Sequence, residues 1–132
     1  MRRHRNHTVA LDLWDAIARG EASELGKLLA DKCAWTMPGR SPLAGVYVGD
    51  QAIFQFMARV GELTDDLQSD LIDIFVSDRG AVARYRIRAI RGEEMLDMEH
   101  LFMISIDDDG LIFEGVFAPI GQERYDHFFR PQ

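Results

Sequence analysis

The chain has 132 residues, 47% of them apolar and 28% charged, with 22 acidic side chains against 15 basic ones and a net charge of -7. That length is one domain, spanning residues 1–132, and it can bury a core without help from disulfides or a metal. The composition excludes a disordered chain, and the acidic balance excludes nucleic acid as a partner, because phosphate contacts need cations.

In chain order, Arg2, Arg3 and Arg5 fall in a stretch, residues 1–7, that reads as a flexible tail. It lacks the apolar run of a signal peptide, and no stretch approaches the ~18 apolar residues that cross a membrane. A cytoplasmic protein with no membrane partner is therefore expected. Ala10, Leu13, Trp14, Ile17 and Ala18 recur at helical spacing, with Thr8 as the cap and Gly20 as the stop. Ser23 caps a short second helix carrying Leu25, Leu28 and Leu29. Cys33, Trp35 and Met37 alternate as in a buried strand. A lone thiol there has no disulfide partner, which fits a reducing compartment. Pro38-Gly39 and Ser41-Pro42 keep the following chain irregular. Asp50 then reads as the N-cap of a third helix, whose stripe is Ile53, Phe54, Phe56, Met57, Val60 and Leu63.

After Asp65-Asp66 the period drops from 3.6 to 2. Ile72, Ile74 and Val76 share one face, and Asp70 shares it with them; it could reach a pocket rim, but an acid at the start of a strand is usually exposed. Asp78-Arg79-Gly80 is a turn. Ala83, Tyr85, Ile87 and Ala89 then point one way and Arg84, Arg86 and Arg88 the other. A second turn at Arg91–Glu94 leads to Leu96, Met98, His100, Phe102, Ile104 and Ile106 on one face. A third turn at Asp107–Gly110 leads to a last strand, Leu111–Ala118, and a terminal helix, Gln122–Phe129. Helices first and a meander of antiparallel strands afterwards define an α+β fold, with the helices covering the sheet's apolar face.

A tight hairpin centred between Gly92 and Glu93 pairs Arg88 with Asp97 and Arg86 with Glu99. These opposite-charge pairs are each worth only about a few tenths of a kcal/mol. A slip of one residue, however, would set every charge against an apolar partner. The same register puts Tyr85 opposite His100, Ile87 opposite Met98 and Ala83 opposite Phe102. A turn centred on Asp108-Asp109 puts Phe117 opposite His100. The covered face is then apolar except for one phenol beside one imidazole. Two readings follow. His100 can move protons while Tyr85 stabilises an oxyanion, or the pair satisfies itself as a buried hydrogen bond without chemistry. Asp12 and Asp15 read as solvated. No phosphate loop, metal-ligand spacing or nucleophile-elbow motif is present in the sequence, so neither metal nor cofactor is expected.

The run Trp35-Thr36-Met37-Pro38-Gly39-Arg40-Ser41-Pro42-Leu43-Ala44-Gly45, with Gly49, Ala52-Ile53 and Phe56-Met57 after it, resembles the SnoaL-like family. The likeness extends from Thr8 to Phe129 and includes the Asp109-Gly110 turn. It implies the cone-shaped nuclear transport factor 2-like fold, three N-terminal helices on a curved, mostly antiparallel sheet, and a homodimer formed through that sheet. It also implies a cofactor-independent isomerase, cyclase or lyase acting on a small hydrophobic carbonyl or polyketide-like compound, or a non-catalytic pocket for a small hydrophobic ligand. His100 and Tyr85 would be its catalytic pair. Trp14, Trp35, Met37, Tyr47, Phe54, Met57, Ile74, Phe102 and Phe117 would contact the ligand, with Tyr47 at the mouth. Two positions depart from related enzymes. Met37 stands where ketosteroid isomerases carry their general-base Asp. Phe117-Ala118-Pro119-Ile120 holds no acid where SnoaL-type cyclases keep one.

Overall fold

The computed structural model describes residues 4–131. Its first helix, α1 (Arg5–Arg19), begins earlier than the sequence predicts. The His4 imidazole accepts from the Asn6 backbone N–H through Nδ1 (3.0 Å) and contacts Asp78 Oδ1 through Nε2 (3.1 Å). Asn6 is fully buried and donates to the Ser77 carbonyl at 2.8 Å. Residues 5–7, expected in a flexible tail, are thus helical, and Thr8 is not the cap. An imidazole has taken a role normally filled by Ser, Thr, Asp or Asn. Arg2 and Arg3 lie outside the described residues. Gly20 closes α1 in a left-handed conformation (φ 64°), as expected.

The second helix, α2 (Ala22–Leu28), starts after Glu21 rather than at a Ser23 cap. The third, α3 (Asp50–Glu62), has Gly49 at its N-cap, with Asp50 as its first residue. A fourth, α4 (Gln122–Phe128), ends the fold.

Six strands form one curved sheet: β1 (Leu29–Met37), β2 (Gly45–Val48), β3 (Asp66–Ser77), β4 (Gly80–Arg91), β5 (Glu94–Ile106) and β6 (Ile112–Pro119). Their order is β2-β1-β6-β5-β4-β3. Only the β1–β6 pairing is parallel. The short edge strand β2 replaces what the sequence reads as irregular chain. It exists through its pairing with β1, Trp35 opposite Tyr47 and Met37 opposite Gly45. The helices lie over one face of the sheet. Leu13, Leu25, Ile53 and Phe56 from the helices bury with Trp35, Ile87 and Phe102 from the strands. Each such side chain contributes about 1.5–3 kcal/mol through burial.

The β4–β5 register is the one expected, with Arg88 opposite Asp97, Arg86 opposite Glu99 and Tyr85 opposite His100. The ion pairs nevertheless run along diagonals. Arg84 binds Glu99 and Arg86 binds Asp97, each at 2.5 Å, while Arg88 reaches Asp70 on β3 at 2.5 Å. A long guanidinium on a twisted sheet reaches the diagonal neighbour as easily as the opposite one. Asp70 is therefore held on the outer face, exposed as strand-start acids usually are, and does not reach the rim.

Besides a shift between Leu29 and Ala34 in the parallel β1–β6 pair, two bulges alter the antiparallel pairings. The first, between Leu71 and Asp73, swaps the faces of β3. Before it, Leu67, Ser69 and Leu71 share the face of Tyr85 and Ile87; after it, Ile74 and Val76 do. Asp70 and Ile74 thus lie on opposite faces, contrary to a strict alternation. The second bulge, between Ser105 and Ile106, adds one residue of offset, and the turn closed by the Asp107 N–H on the Leu111 carbonyl adds another, so the β5–β6 register differs by two from the one expected. Phe117 faces Phe102, and Pro119 takes the place opposite His100. A two-residue shift keeps Phe117 on the covered face. There its ring stacks on that of Phe102, with centroids 4.1 Å apart.

Candidate functional site

Between the helices and the covered face of the sheet lies an apolar hollow of about 590 Å³. Strand alternation supplies its floor: Trp35 and Met37 from β1, Tyr85 from β4, His100 and Phe102 from β5, and Phe117 from β6. Helical spacing supplies the roof, with Trp14 on α1 and Phe54 and Met57 on α3. Those nine sequence-predicted residues come together.

Tyr47 and Ile74 are not brought into the lining. Tyr47 is held to one side. Its hydroxyl donates to the Leu43 carbonyl at 2.6 Å and its ring packs on Phe56 at 4.6 Å. Ile74 follows the β3 bulge and packs half-buried against the core.

His100 is 2% exposed. Its ring sits between two phenols, with centroids 5.4 Å from Tyr85 and 5.3 Å from Tyr125. Trp14 packs against the other side of Tyr85 at 5.2 Å. Burial pushes the His100 imidazole down from its ordinary 6.5 to about 4, because no neighbouring charge offsets the loss of solvation. Burial likewise pushes both phenols well above their ordinary value. All three groups are uncharged near neutral pH: two phenol rings packed on an imidazole whose one N–H is free to donate and whose other nitrogen is free to accept. His100 Nδ1 is buried and has no hydrogen-bond partner among the described residues. Such an orphan costs about 1–3 kcal/mol, which a ligand atom or an ordered water would recover.

Tyr125 is the member that sequence reasoning missed. Its signal was the spacing of Tyr125, Phe128 and Phe129 on the terminal helix. That spacing defines an apolar side without saying which part of the sheet it covers. Cys33 is fully buried, and burial pushes its thiol up to about 11, so it is no nucleophile. Among the described residues, no group of three His, Cys, Asp or Glu is placed to hold a metal, and no helix is long and apolar enough to cross a membrane.

An α+β domain whose curved six-stranded sheet folds under helices around an apolar hollow is a nuclear transport factor 2-like protein in architecture. Residues 10–115 match the SnoaL-like domain, and the chain belongs to that family. The protein Rv0034 of Mycobacterium tuberculosis is 27% identical over 93 residues, covering 69% of this chain and 71% of its own. The solved structure of Bal32a, from a soil-derived mobile gene cassette, superposes with a TM-score of 0.88 at 26% identity, over 96% of this chain and 97% of that one. Rv0760c of Mycobacterium tuberculosis, solved in complex with estradiol-17beta-hemisuccinate, gives a TM-score of 0.71 at 14% identity, over 87% of this chain and 93% of that one. The last likeness is one of fold alone.

Proposed function

We propose that the protein is a cofactor-independent SnoaL-like enzyme of the cytoplasm acting on a small hydrophobic carbonyl or polyketide-like compound. The observation that carries this is His100, buried in an apolar hollow beside Tyr85 and Tyr125, with its Nδ1 lacking a partner among the described residues. The ligand's oxygen would take hydrogen bonds from the phenols. These are stronger in a site without water, and more so as charge develops on that oxygen. A neutral imidazole with a depressed pKa is a weak base but a good positioned donor and relay, so His100 would pass a proton rather than abstract one from a reluctant carbon unaided. The estradiol derivative held by Rv0760c supports a ligand of this size and greasiness.

A second reading, a binding pocket without turnover, is favoured by the lining itself. None of its buried members among the described residues is a carboxylate. One experiment separates the two. The protein is incubated with a tetralone in D2O, and deuterium uptake beside the carbonyl is followed by mass spectrometry. The enzyme reading expects uptake faster than buffer, lost in His100→Phe while far-UV dichroism is unchanged. Binding without accelerated exchange supports the second reading.

The outer face of the sheet exposes Val46, Val48, Met95 and Met103. This supports a homodimer through that face, with sedimentation velocity as the check.

A further inference from the structure

The lining of the hollow divides by depth. Trp35, Phe102 and Tyr125 are buried, whereas Gly20, Glu21, Ala58, Gly61 and Ser69 are exposed. The opening therefore lies between the α1–α2 junction, the end of α3 and the start of β3. Charge along this path is one-sided. Among the described residues no lysine or arginine lines the hollow, and Glu21 is the single carboxylate that does. Arg19, its near neighbour in sequence, and Arg59, between Ala58 and Val60 on α3, are exposed and outside the lining. Burial raises the Tyr47 phenol, and Arg59 lies near enough to offset part of that rise. Arg5 is spent on the Asp107 and Asp108 carbonyls at the β5–β6 turn. His100 stays uncharged in mild acid, so the floor adds no cation either.

We propose that the opening is a charge filter: the hollow admits uncharged apolar ligands, tolerates an ammonium at their outer end and rejects carboxylates and sulfonates, with Glu21 as the discriminating residue. This rests on the reading that the hollow binds a ligand. An anion drawn inside would lose its hydration and find no counter-charge. An anion left at the opening would face the Glu21 carboxylate where the surrounding protein weakens screening. An uncharged scaffold meets no such penalty on its way in, past Ala22, Ala58, Gly61, Ser69 and the apolar Leu67.

Phenylnaphthylamine and anilinonaphthalene sulfonate test this, because they share a scaffold and differ by one sulfonate. Binding of each is read from quenching of Trp14 and Trp35, the chain's two tryptophans, both in the lining. The uncharged compound should bind at least about tenfold more tightly. Glu21 makes no side-chain capping hydrogen bond, so Glu21→Lys keeps its helix start. That variant should narrow the ratio by about threefold or more. Glu123→Lys, an equal change in net charge at an exposed position on α4, should leave the ratio in place. Equal binding of the two compounds overturns the filter and leaves the ligand pocket standing. A ratio that Glu21→Lys does not move, or that Glu123→Lys moves equally, overturns the role of Glu21. Binding of neither compound overturns the pocket and the filter together.

Discussion

The two faces of the β4–β5 hairpin use the same backbone for different ends. On the covered face, Tyr85, Ile87, His100 and Phe102 are each less than a tenth exposed and touch rings or aliphatic chains. On the outer face, Arg84, Arg86, Asp97 and Glu99 keep between 34% and 47% of their side-chain surface in water. The guanidinium of Arg86 holds the Asp97 carboxyl below the usual carboxylate range. Screened pairs of this kind add little to stability. The contrast teaches that the covered face supplies the free energy, while the outer face makes the alternative register unacceptable.

Four measurements would break or sharpen that contrast. The largest effect is expected at Phe102, which stacks on Phe117 and meets Trp35 edge-on at 4.9 Å. Phe102→Ala should lower the unfolding free energy by about 3–5 kcal/mol in a denaturant titration. A loss no larger than that of an outer-face variant would abolish the contrast.

Acid gives the next largest effect. Between pH 6.5 and about 4 the unfolded chain binds a proton at His100 that the folded one refuses. Stability therefore rises with pH across that window; the contribution is complete above it and lost as pH falls through it. The loss on acidification should be about 3 kcal/mol. His100→Phe should flatten this part of the pH profile, and an unchanged slope would show that the imidazole is solvated.

Gly115 comes third. A Cβ there would meet Phe102 at 2.7 Å and Trp35 at 3.0 Å. Gly115→Ala should cost about 1–3 kcal/mol by overpacking, read from its midpoint at constant denaturant slope. The smallest effect is on the outer face. Arg86→Ala should cost less than about 1 kcal/mol and the difference should shrink in high salt.

The β4–β5 hairpin was legible because two independent patterns agreed on it, the apolar alternation and the opposed charges. The nine gathered pocket residues were legible for the same reason: strand and helix periodicity each specify a side. What stayed hidden was whatever one periodicity does not encode. A single extra residue near Leu71 carries no local mark, yet it sent Asp70 outward and turned the alternation over at Ile74. The four residues of β2 lie among glycines and show no stripe; they become a strand only against Trp35 and its neighbours. Tyr125 reaches His100 because α4 docks over β5 and β6, a tertiary fact. His4 starts a helix through an imidazole that sequence rules do not rank as a cap.

The separation of floor from opening has a consequence for how this domain can diverge. The floor is woven into four hydrogen-bonded strands, where replacing a side chain loosens the whole body. The threshold is made of alanines, glycines and one acid on exposed helix ends, with Leu67 and Ser69 at the start of β3. Substitutions at Ala18, Ala22, Ala58 or Gly61 would recut the entrance while Trp35, Phe102 and Phe117 stayed as they are. Descendants of this chain could thus exchange one guest for another through a handful of surface mutations, each close to neutral for folding.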